Sequence, residues 1–228
     1  LPLHRAAEAG NKEMTTRLAK IFPGGASVMN TDGQLPLHLA VLACANKMVK
    51  SPLTVVSNIL ALNPHALAIA DNDGNLPLHL AAAYLSGELG SEVVHLLVDE
   101  ADKHGGNLRF PKSIRTLDNA DDTMSSVDSV FDDSDEIAEE EQTVLSVRNA
   151  LGWNPIVTAI QMAADFEILD ALLTRPGVEP IAFARDKNGE TILHTSMTKK
   201  YCDPSSVISI LKSFPDLVIF SDESGALP

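Results

Sequence analysis

The sequence predicts an all-α solenoid, in which pairs of helices stack on one another and turns project from one side. Three observations indicate this class. A stretch reading DNDGNLPLHLAA, at residues 71–82, recurs in near-copies along the chain. The copies follow one another at intervals typical of solenoid repeats. Apolar residues at helical spacing come after each copy, as expected for a second helix that buries one face.

Each copy encodes a turn followed by a short helix. Asn72, Asp73 and Gly74 favour a turn, because Asn and Asp tolerate a left-handed backbone and Gly adopts positive φ at little cost. Pro77 suits the first helical turn, where its missing N–H would have no helical partner. The apolar run at 78–82 then predicts a helix, and its alanines allow a neighbouring helix to approach closely.

The copies cover most of the chain. They read LPLHRAA at 1–7, TDGQLPLHLA at 31–40, GWNPIVTA at 152–159, DKNGETILHTS at 186–196 and DESGALP at 222–228. The Pro-equivalent positions are 2, 36, 77, 155, 192 and 228, which gives spacings of 34, 41, 78, 37 and 36 residues. We therefore expect helix pairs to begin near Leu35, Leu76, Asn154 and Thr191.

A second helix is predicted in each unit from apolar residues at 3.6-residue spacing, for example Val94, Leu97, Val98 and Ala101. The candidate N-caps of these helices are Ser51, Ser91, Asp165 and Asp203. The prolines at 23, 64, 176 and 215 predict that the helices end in turns. Short extended stretches are expected after these turns, at 66–70, 181–184 and 217–220.

The motif resembles the ankyrin repeat, whose signature reads T-P-L-H-x-A after a D-x-x-G turn. The resemblance covers nearly the whole chain except residues 105–148. It implies a scaffold that binds another protein and performs no catalysis. Leu35 and Leu76 stand where the family has Thr, as do Leu1 and Leu227, and only Thr191 keeps that residue. In the family this Thr bonds the motif His, so His4, His38 and His79 need other partners here. The spacings exceed the family's usual 33 residues, which implies longer loops.

The acidic charge of the chain is concentrated in one segment. The formal net charge is −14, and eleven Asp and Glu residues with no Lys or Arg lie between positions 118 and 141. A Ser- and acid-rich segment buries too little apolar surface to offset its ordering entropy. We expect residues 105–148 to form an acidic low-complexity insertion between repeats at 1–104 and 149–228, in which the segment 118–141 is a mostly disordered surface loop. Its charge is read as simple solvation or, alternatively, as a regulatory or partner-binding element.

One serine in this insertion is a candidate modification site. Ser129 has Asp132 and Asp133 at +3 and +4, a context that acid-directed kinases favour. A phosphate there would extend the segment by repulsion.

Composition excludes several classes of function. No apolar run approaches the ~18 residues that a membrane helix needs, and no basic stripe suggests nucleic-acid binding. Cys44 and Cys202 form no CxxC pair and read as free thiols in a reducing compartment. We expect an intracellular protein, cytoplasmic or nuclear, that is monomeric and has no cofactor. The chain lacks an initiator Met and begins within a motif, so it is expected to be a fragment.

No constellation of residues supports catalysis or metal binding. The motif histidines, His4, His38, His79 and His194, occur one per unit, and helices of stacked units lie ~10 Å apart, too far to share one Zn²⁺. They are expected to bond the backbone of the turns. GNLRFPKS at 106–113 resembles a phosphate-binding loop, but Pro111 removes an N–H that the phosphate would need. No motif places a nucleophile beside a base.

Partner-binding residues are expected at the non-signature positions of each copy, on a concave face formed by turns and inner helices. On the turns these are Thr31, Asp32, Gln34, Asn72, Asp73, Asn75, Ala150, Leu151, Trp153, Lys187, Asn188 and Glu190, and on the inner helices Tyr84, Gln161, Met162 and Lys199. Their chemistry predicts a protein partner with an apolar anchor flanked by polar or basic groups.

Two alternatives remain open from the sequence. Trp153, the single tryptophan, is either an exposed binding hot spot or packs under the acidic segment or on the next turn. The chain is either an independent scaffold or a regulatory repeat segment of a larger enzyme or channel that docks in cis.

Overall fold

The computed structural model describes residues 1–46, 51–105, 108, 143–186, 188–198 and 204–228. The segment 118–141, predicted to be a mostly disordered loop, therefore lies outside the described residues. Of the predicted insertion 105–148, residues 105, 108 and 143–148 are described, and the core includes Leu108, Val144, Leu145 and Val147. Ser129, Cys202, Asp203, Lys187 and Lys199 also lie outside them, as do most residues of the 106–113 stretch.

Eleven α-helices are formed by the described residues. They are α1 Pro2–Glu8, α2 Lys12–Ile21, α3 Pro36–Ala43, α4 Pro52–Leu62, α5 Pro77–Tyr84, α6 Gly87–His104, α7 Pro155–Met162, α8 Phe166–Leu173, α9 Glu179–Ala182, α10 Ile192–Thr198 and α11 Pro204–Ser213. Short 3₁₀ helices occupy Pro23–Ser27, Pro64–Ala68 and Pro215–Ile219. No β-strand occurs in this part of the chain.

The helices stack in two layers. An inner layer runs α1, α3, α5, α7 and α10, each helix packed on the next, and an outer layer runs α2, α4, α6, α8 and α11 in the same way. The predicted all-α solenoid of helix pairs is thus confirmed. Helix pairs begin at Leu35, Leu76 and Asn154 as expected, with a proline at the first helical position of α3, α5 and α7.

Two local expectations are wrong. The stretches at 66–70, 181–184 and 217–220 are mostly not extended, because Pro64–Ala68 and Pro215–Ile219 form 3₁₀ helices and α9 is a short helix; only the residues after the 3₁₀ helices, such as Ile69 and Phe220, have extended backbone. The φ angle of proline suits a first helical turn, and Ala66 N–H donates to the Asn63 carbonyl at 3.2 Å to close it. Ser91 is not an N-cap, since α6 begins at Gly87 after Ser86.

The core is a continuous aliphatic cluster that runs through all units. Leu35 and Leu76, which stand where the family has Thr, are completely buried in it. Gly90 lets α6 approach α8, because a Cβ there would lie 2.7 Å from Cδ1 of Ile168. Successive units therefore lie close together, and this fixes the positions of the turns that project from them.

Candidate functional site

Each projecting turn is closed by the side chain of its first residue. In the 71–75 turn, Asp71 Oδ1 accepts hydrogen bonds from the N–H groups of Asp73 (3.0 Å) and Asn75 (2.8 Å). Asn30, Asn149 and Asp186 close the 30–34, 149–153 and 186–190 turns in the same way. These first residues were not among the predicted site residues, although Asp or Asn three residues before the turn glycine is a readable signal.

Neighbouring turns are joined through their backbones. The N–H of Asn72 donates to the Asp32 carbonyl at 3.1 Å, and the N–H of Ala150 donates to the Asp73 carbonyl at 3.0 Å. The N–H of Glu223 donates to the Asn188 carbonyl at 3.1 Å. At these three joints the turn tips are held in register, which gives a preorganised surface for a partner.

The motif histidines are the second link between units. His79 Nδ1 accepts the N–H of Leu76 at 3.1 Å, so its proton is on Nε2, which lies 3.0 Å from the Trp153 carbonyl oxygen of the next turn. His38 links the Leu35 N–H to the Asn75 carbonyl in the same way. The histidines thus bond turn backbone as expected. The same backbone N–H bond occurs at Thr191 and His194, where the Thr hydroxyl also lies 3.0 Å from Nδ1, so the units with Leu keep the backbone bond and lack only the hydroxyl contact.

Burial keeps these rings neutral. It lowers the pKa of His79 to about 4, against a smaller opposing effect of the Trp153 and Val147 carbonyls. Burial also lowers the pKa of His38 and of His4. Imidazoles with both nitrogens engaged by backbone are poor metal ligands, and no group of three or more His, Cys, Asp or Glu residues in the described part of the chain could hold a metal ion.

The predicted partner-binding residues fall into two groups. Thr31, Asp32, Asp73, Ala150, Leu151 and Asn188 are exposed at the turn tips, and Tyr84 and Met162 are exposed at the ends of inner helices. Gln34, Asn75, Trp153, Glu190 and Gln161 are partly buried. Asn72 is exposed, but its side chain donates to the Thr31 carbonyl, and Asn75 accepts from Asn149. These two asparagines therefore also stabilise the stack.

Apolar side chains are exposed on this surface around the fourth unit. Leu151 is 65% exposed, Tyr84 55% and Met162 45%. Phe166 is 39% exposed at the start of α8, although apolar residues at helical spacing in the second helices were predicted to face the core. Its position as the first residue of α8 is the sequence feature that could have indicated this exposure.

A cleft of about 140 Å³ lies between the 149–153 and 186–190 turns. Trp153, Gln161 and Glu190 of the predicted site line it together with Arg148, Val157 and Ala184. Trp153 is thus neither a core residue nor a fully exposed one, since its side chain is partly buried at the edge of this cleft.

No described helix has both the length and the apolar character needed to cross a membrane.

Comparison with known proteins agrees with this architecture. A family model described as ankyrin repeats in three copies matches residues 3–107. Comparison with curated proteins gives no match. A similar solved structure is the ankyrin repeat domain of Bcl-3, described as a unique member of the IkappaB protein family; its TM-score is 0.65 at 22% identity, covering 100% of this chain and 77% of that one. Residues 3–107 are therefore ankyrin repeats, and the chain as a whole has the ankyrin-repeat fold.

Proposed function

We propose that the chain is a non-catalytic scaffold that binds a protein partner on one face, formed by the turn tips and the exposed ends of the inner helices. Ankyrin repeats are generally protein–protein interaction modules, which supports the class of function. The face itself is proposed from the distribution of exposed side chains along the repeats.

The observation that carries this proposal is a contrast between two sets of positions. The signature positions of the copies are buried, as Leu76 and Leu78 show, with at most 2% exposure. The variable positions of the same copies carry Leu151, Tyr84 and Met162, which are large, apolar and exposed. Large apolar side chains that are exposed in the free chain can be buried by a partner. Aromatic and Met side chains are also enriched at interfaces.

Three groups of the described residues that could serve in catalysis are engaged or inert. His38 and His79 have both ring nitrogens bonded to backbone. Cys44 is buried, and burial raises the pKa of its thiol to about 12, so it forms no nucleophilic thiolate at neutral pH. A buried free thiol of this kind fits the proposed intracellular, reducing compartment.

The proposal is tested by selecting protein ligands for the whole chain and measuring their affinity for surface variants. Leu151→Asp and Met162→Asp should abolish binding of the selected ligands without changing the melting temperature. Met14→Asp is the matched control, because Met14 is exposed to a similar extent (47%) on α2 of the outer layer. If the selected ligands still bind the Leu151→Asp and Met162→Asp variants but do not bind Met14→Asp, the binding surface lies on the outer layer instead.

A further inference from the structure

The histidine of the repeated motif links one turn-and-helix unit to the next along most of the stack. Its Nε2 lies 3.0–3.2 Å from a carbonyl oxygen of the following turn, and the pairs are His4 with Gln34, His38 with Asn75, His79 with Trp153, and His194 with Ala226. The fourth unit begins with the 149–153 turn and the fifth with the 186–190 turn. At the joint between these two units, Val157 stands at the histidine position, so the linking ring is missing there.

The residues that replace the motif at this joint serve their own helix. The side chain of Asn154 accepts the N–H of Val157 at 2.8 Å and so caps α7. A valine side chain has no N–H to donate. The Glu190 carbonyl, which is the equivalent acceptor in the fifth unit, therefore receives no hydrogen bond from this position.

The same joint contains the cleft of about 140 Å³ between the two turns. Exposed charged side chains line the cleft from both sides, Arg148 before the fourth turn and Asp186 at the start of the fifth. Solvent therefore reaches between the two units. Parts of a protein whose mutual contacts are exposed to solvent separate at a low cost in free energy.

The outer layer shows a similar contrast between neighbouring joints. Between the third and fourth units, the guanidinium of Arg175 donates to Asp99 and to Nδ1 of His95 on α6. Between the fourth and fifth units, the hydroxyl of Ser209 on α11 donates to Asp170 on α8 at 3.4 Å, which is long for a hydroxyl donor. The bridge made by Arg175 is charge-assisted at Asp99 and is the stronger of the two.

The two units beyond this joint are linked to each other. The ring of His194 bonds the last turn, and the N–H of Glu223 donates to the Asn188 carbonyl at 3.1 Å. The rings of Phe183 and Phe220 also pack edge-on, with their centroids 5.4 Å apart. The stack thus has linked units on either side of a joint that lacks the histidine.

We infer that the stack opens at the joint between the fourth and fifth units, where α10 and α11 separate together from α7 and α8 while these helices stay formed. The stability of a solenoid is approximately a sum over its units and the interfaces between neighbours. A joint that has lost a link therefore opens more readily than the joints that keep it.

This opening goes beyond the proposed function and bears on it. The proposed binding face crosses the joint, with Leu151 on one side and Asn188 on the other. Opening changes the spacing between the two parts of the face. A partner that contacts both parts holds the joint closed.

Amide hydrogen exchange of the whole chain, followed helix by helix, tests the inference. The amides of α10 and α11 should exchange together, about tenfold or more faster than those of α7 and α8. No such step should separate α5 from α7. Fraying from the end of the stack would instead give rates that increase gradually from helix to helix. A gradual increase, or equal protection on both sides of the joint, would overturn the inference.

A double variant that supplies the missing link tests its cause. Asn154→Leu/Val157→His gives the fourth unit the residue pair of the third, so that the new ring can donate to the Glu190 carbonyl. The protection of α10 and α11 should rise about fivefold, the effect of one added hydrogen bond. Asn154→Leu/Val157→Phe is the matched control, because its ring is of similar size and has no N–H, and its gain should be smaller. Equal protection of α10 and α11 in the two variants would show that the missing bond is not the cause.

The opposite exchange should create a second opening. Leu76→Asn/His79→Val gives the third unit the residue pair of the fourth. The amides of α7 and α8 should then exchange as fast as those of α10 and α11, while α5 keeps its protection. Unchanged exchange of α7 and α8 in this variant would contradict the inference. If circular dichroism shows that the variant is unfolded, the step in the wild-type chain decides.

Ligands selected for the binding face distinguish this inference from the proposed function. The exchange of the free chain does not depend on any partner. A ligand that requires both Leu151 and Asn188 should slow the exchange of α10 and α11. Ligands that bind the face of a chain without the step would leave the proposed function in place and overturn the opening. A step in the free chain for which no face ligand can be selected would do the reverse.

Discussion

The ring of His79 joins two units that are far apart in sequence. Its Nε2 lies 3.0 Å from the carbonyl oxygen of Trp153, 74 residues further along the chain, while its Nδ1 accepts the N–H of Leu76 in its own unit. The insertion predicted at 105–148 separates these two residues in sequence. The ring therefore adds a link between the third and fourth turn-and-helix units across that gap, beside the bond from the Ala150 N–H to the Asp73 carbonyl.

Replacing His79 should weaken this joint. His79→Ala leaves the buried N–H of Leu76 without its acceptor and opens a cavity, whereas the Trp153 carbonyl still accepts the N–H of Asn149. We expect a loss of about 2–4 kcal/mol in the free energy of unfolding, measured by urea denaturation. His65→Ala, at an exposed position of the 3₁₀ helix Pro64–Ala68, should change it by less than about 0.5 kcal/mol. Similar losses in the two variants would mean that the ring of His79 is not a link.

The same histidine should make stability depend on pH. In the folded state burial lowers the pKa of His79 to about 4, while in the unfolded state it is near the ordinary value of ~6.5. Below pH ~6.5 the unfolded chain binds a proton that the folded chain does not, so the stability due to neutral His79 is complete above that pH. It is lost as the pH falls from ~6.5 through ~4.

The size of this effect follows from the shift. A pKa difference between 6.5 and about 4 corresponds to roughly 3 kcal/mol when the pH is below both values. Carboxylates titrate in the same range, so the wild-type chain is compared with His79→Gln from pH 7.5 to 4. The difference in unfolding free energy between the two should shrink as the pH falls. A constant difference would show that His79 titrates alike in both states.

Replacing Gly74, which contacts the next turn, should cost more stability than replacing Gly225. Gly74 has φ +76°, and a Cβ there would lie 2.8 Å from the N atom of Ala150 in the next turn. Gly74→Ala should therefore cost the left-handed strain of ~1 kcal/mol or more and also disturb the bond from Ala150 to Asp73. Gly225 has φ +83° with nothing within 4 Å of its Cβ position, so Gly225→Ala should show the strain alone. Equal melting temperatures for the two variants would contradict a close contact between turns.

Much of the fold could be predicted because the sequence repeats it. Pro36, Pro77 and Pro155 each mark the first residue of an inner helix, and the glycines at 33, 74 and 152 each adopt positive φ in a turn. These features are local, since proline fixes its own φ and glycine tolerates positive φ without help from neighbours. Local chemistry of this kind can be read from one copy and checked against the others.

The 3₁₀ helices and the cleft could not be read in this way. Pro64 and Pro215 indicate a break after the preceding helix. The chain that follows nevertheless forms a 3₁₀ helix, because the N–H groups of Ala66 and Leu217 donate to the carbonyls of Asn63 and Phe214, three residues earlier. The cleft depends on Val157 and Ala184 being small in two different units that face each other. The sequence shows each of these two small residues separately, and only the stacking of the units shows that they lie side by side.

Substitutions in the core should lower stability, whereas substitutions at the turn tips should weaken partner binding and leave stability nearly unchanged. Leu97 is 1% exposed on α6, and Leu97→Ala should lower the free energy of unfolding by about 2–5 kcal/mol. Leu151→Ala should change it by less than about 0.5 kcal/mol, since Leu151 is 65% exposed at a turn tip, yet weaken binding of a selected partner.

Trp153→Ala should lower the free energy of unfolding by more than Leu151→Ala and by less than Leu97→Ala. It should weaken partner binding more than either of these variants. The tryptophan ring is partly buried, so its loss removes some packing within the fourth unit. Its backbone carries the turn bonds to Asn149 and His79, which the substitution leaves in place. We expect ~2 kcal/mol or more of binding free energy to be lost, measured by titration calorimetry with a selected ligand, and a smaller drop in melting temperature than in Leu97→Ala. If the melting temperatures of the two variants fall equally, Trp153 is a core residue and the binding face does not include it.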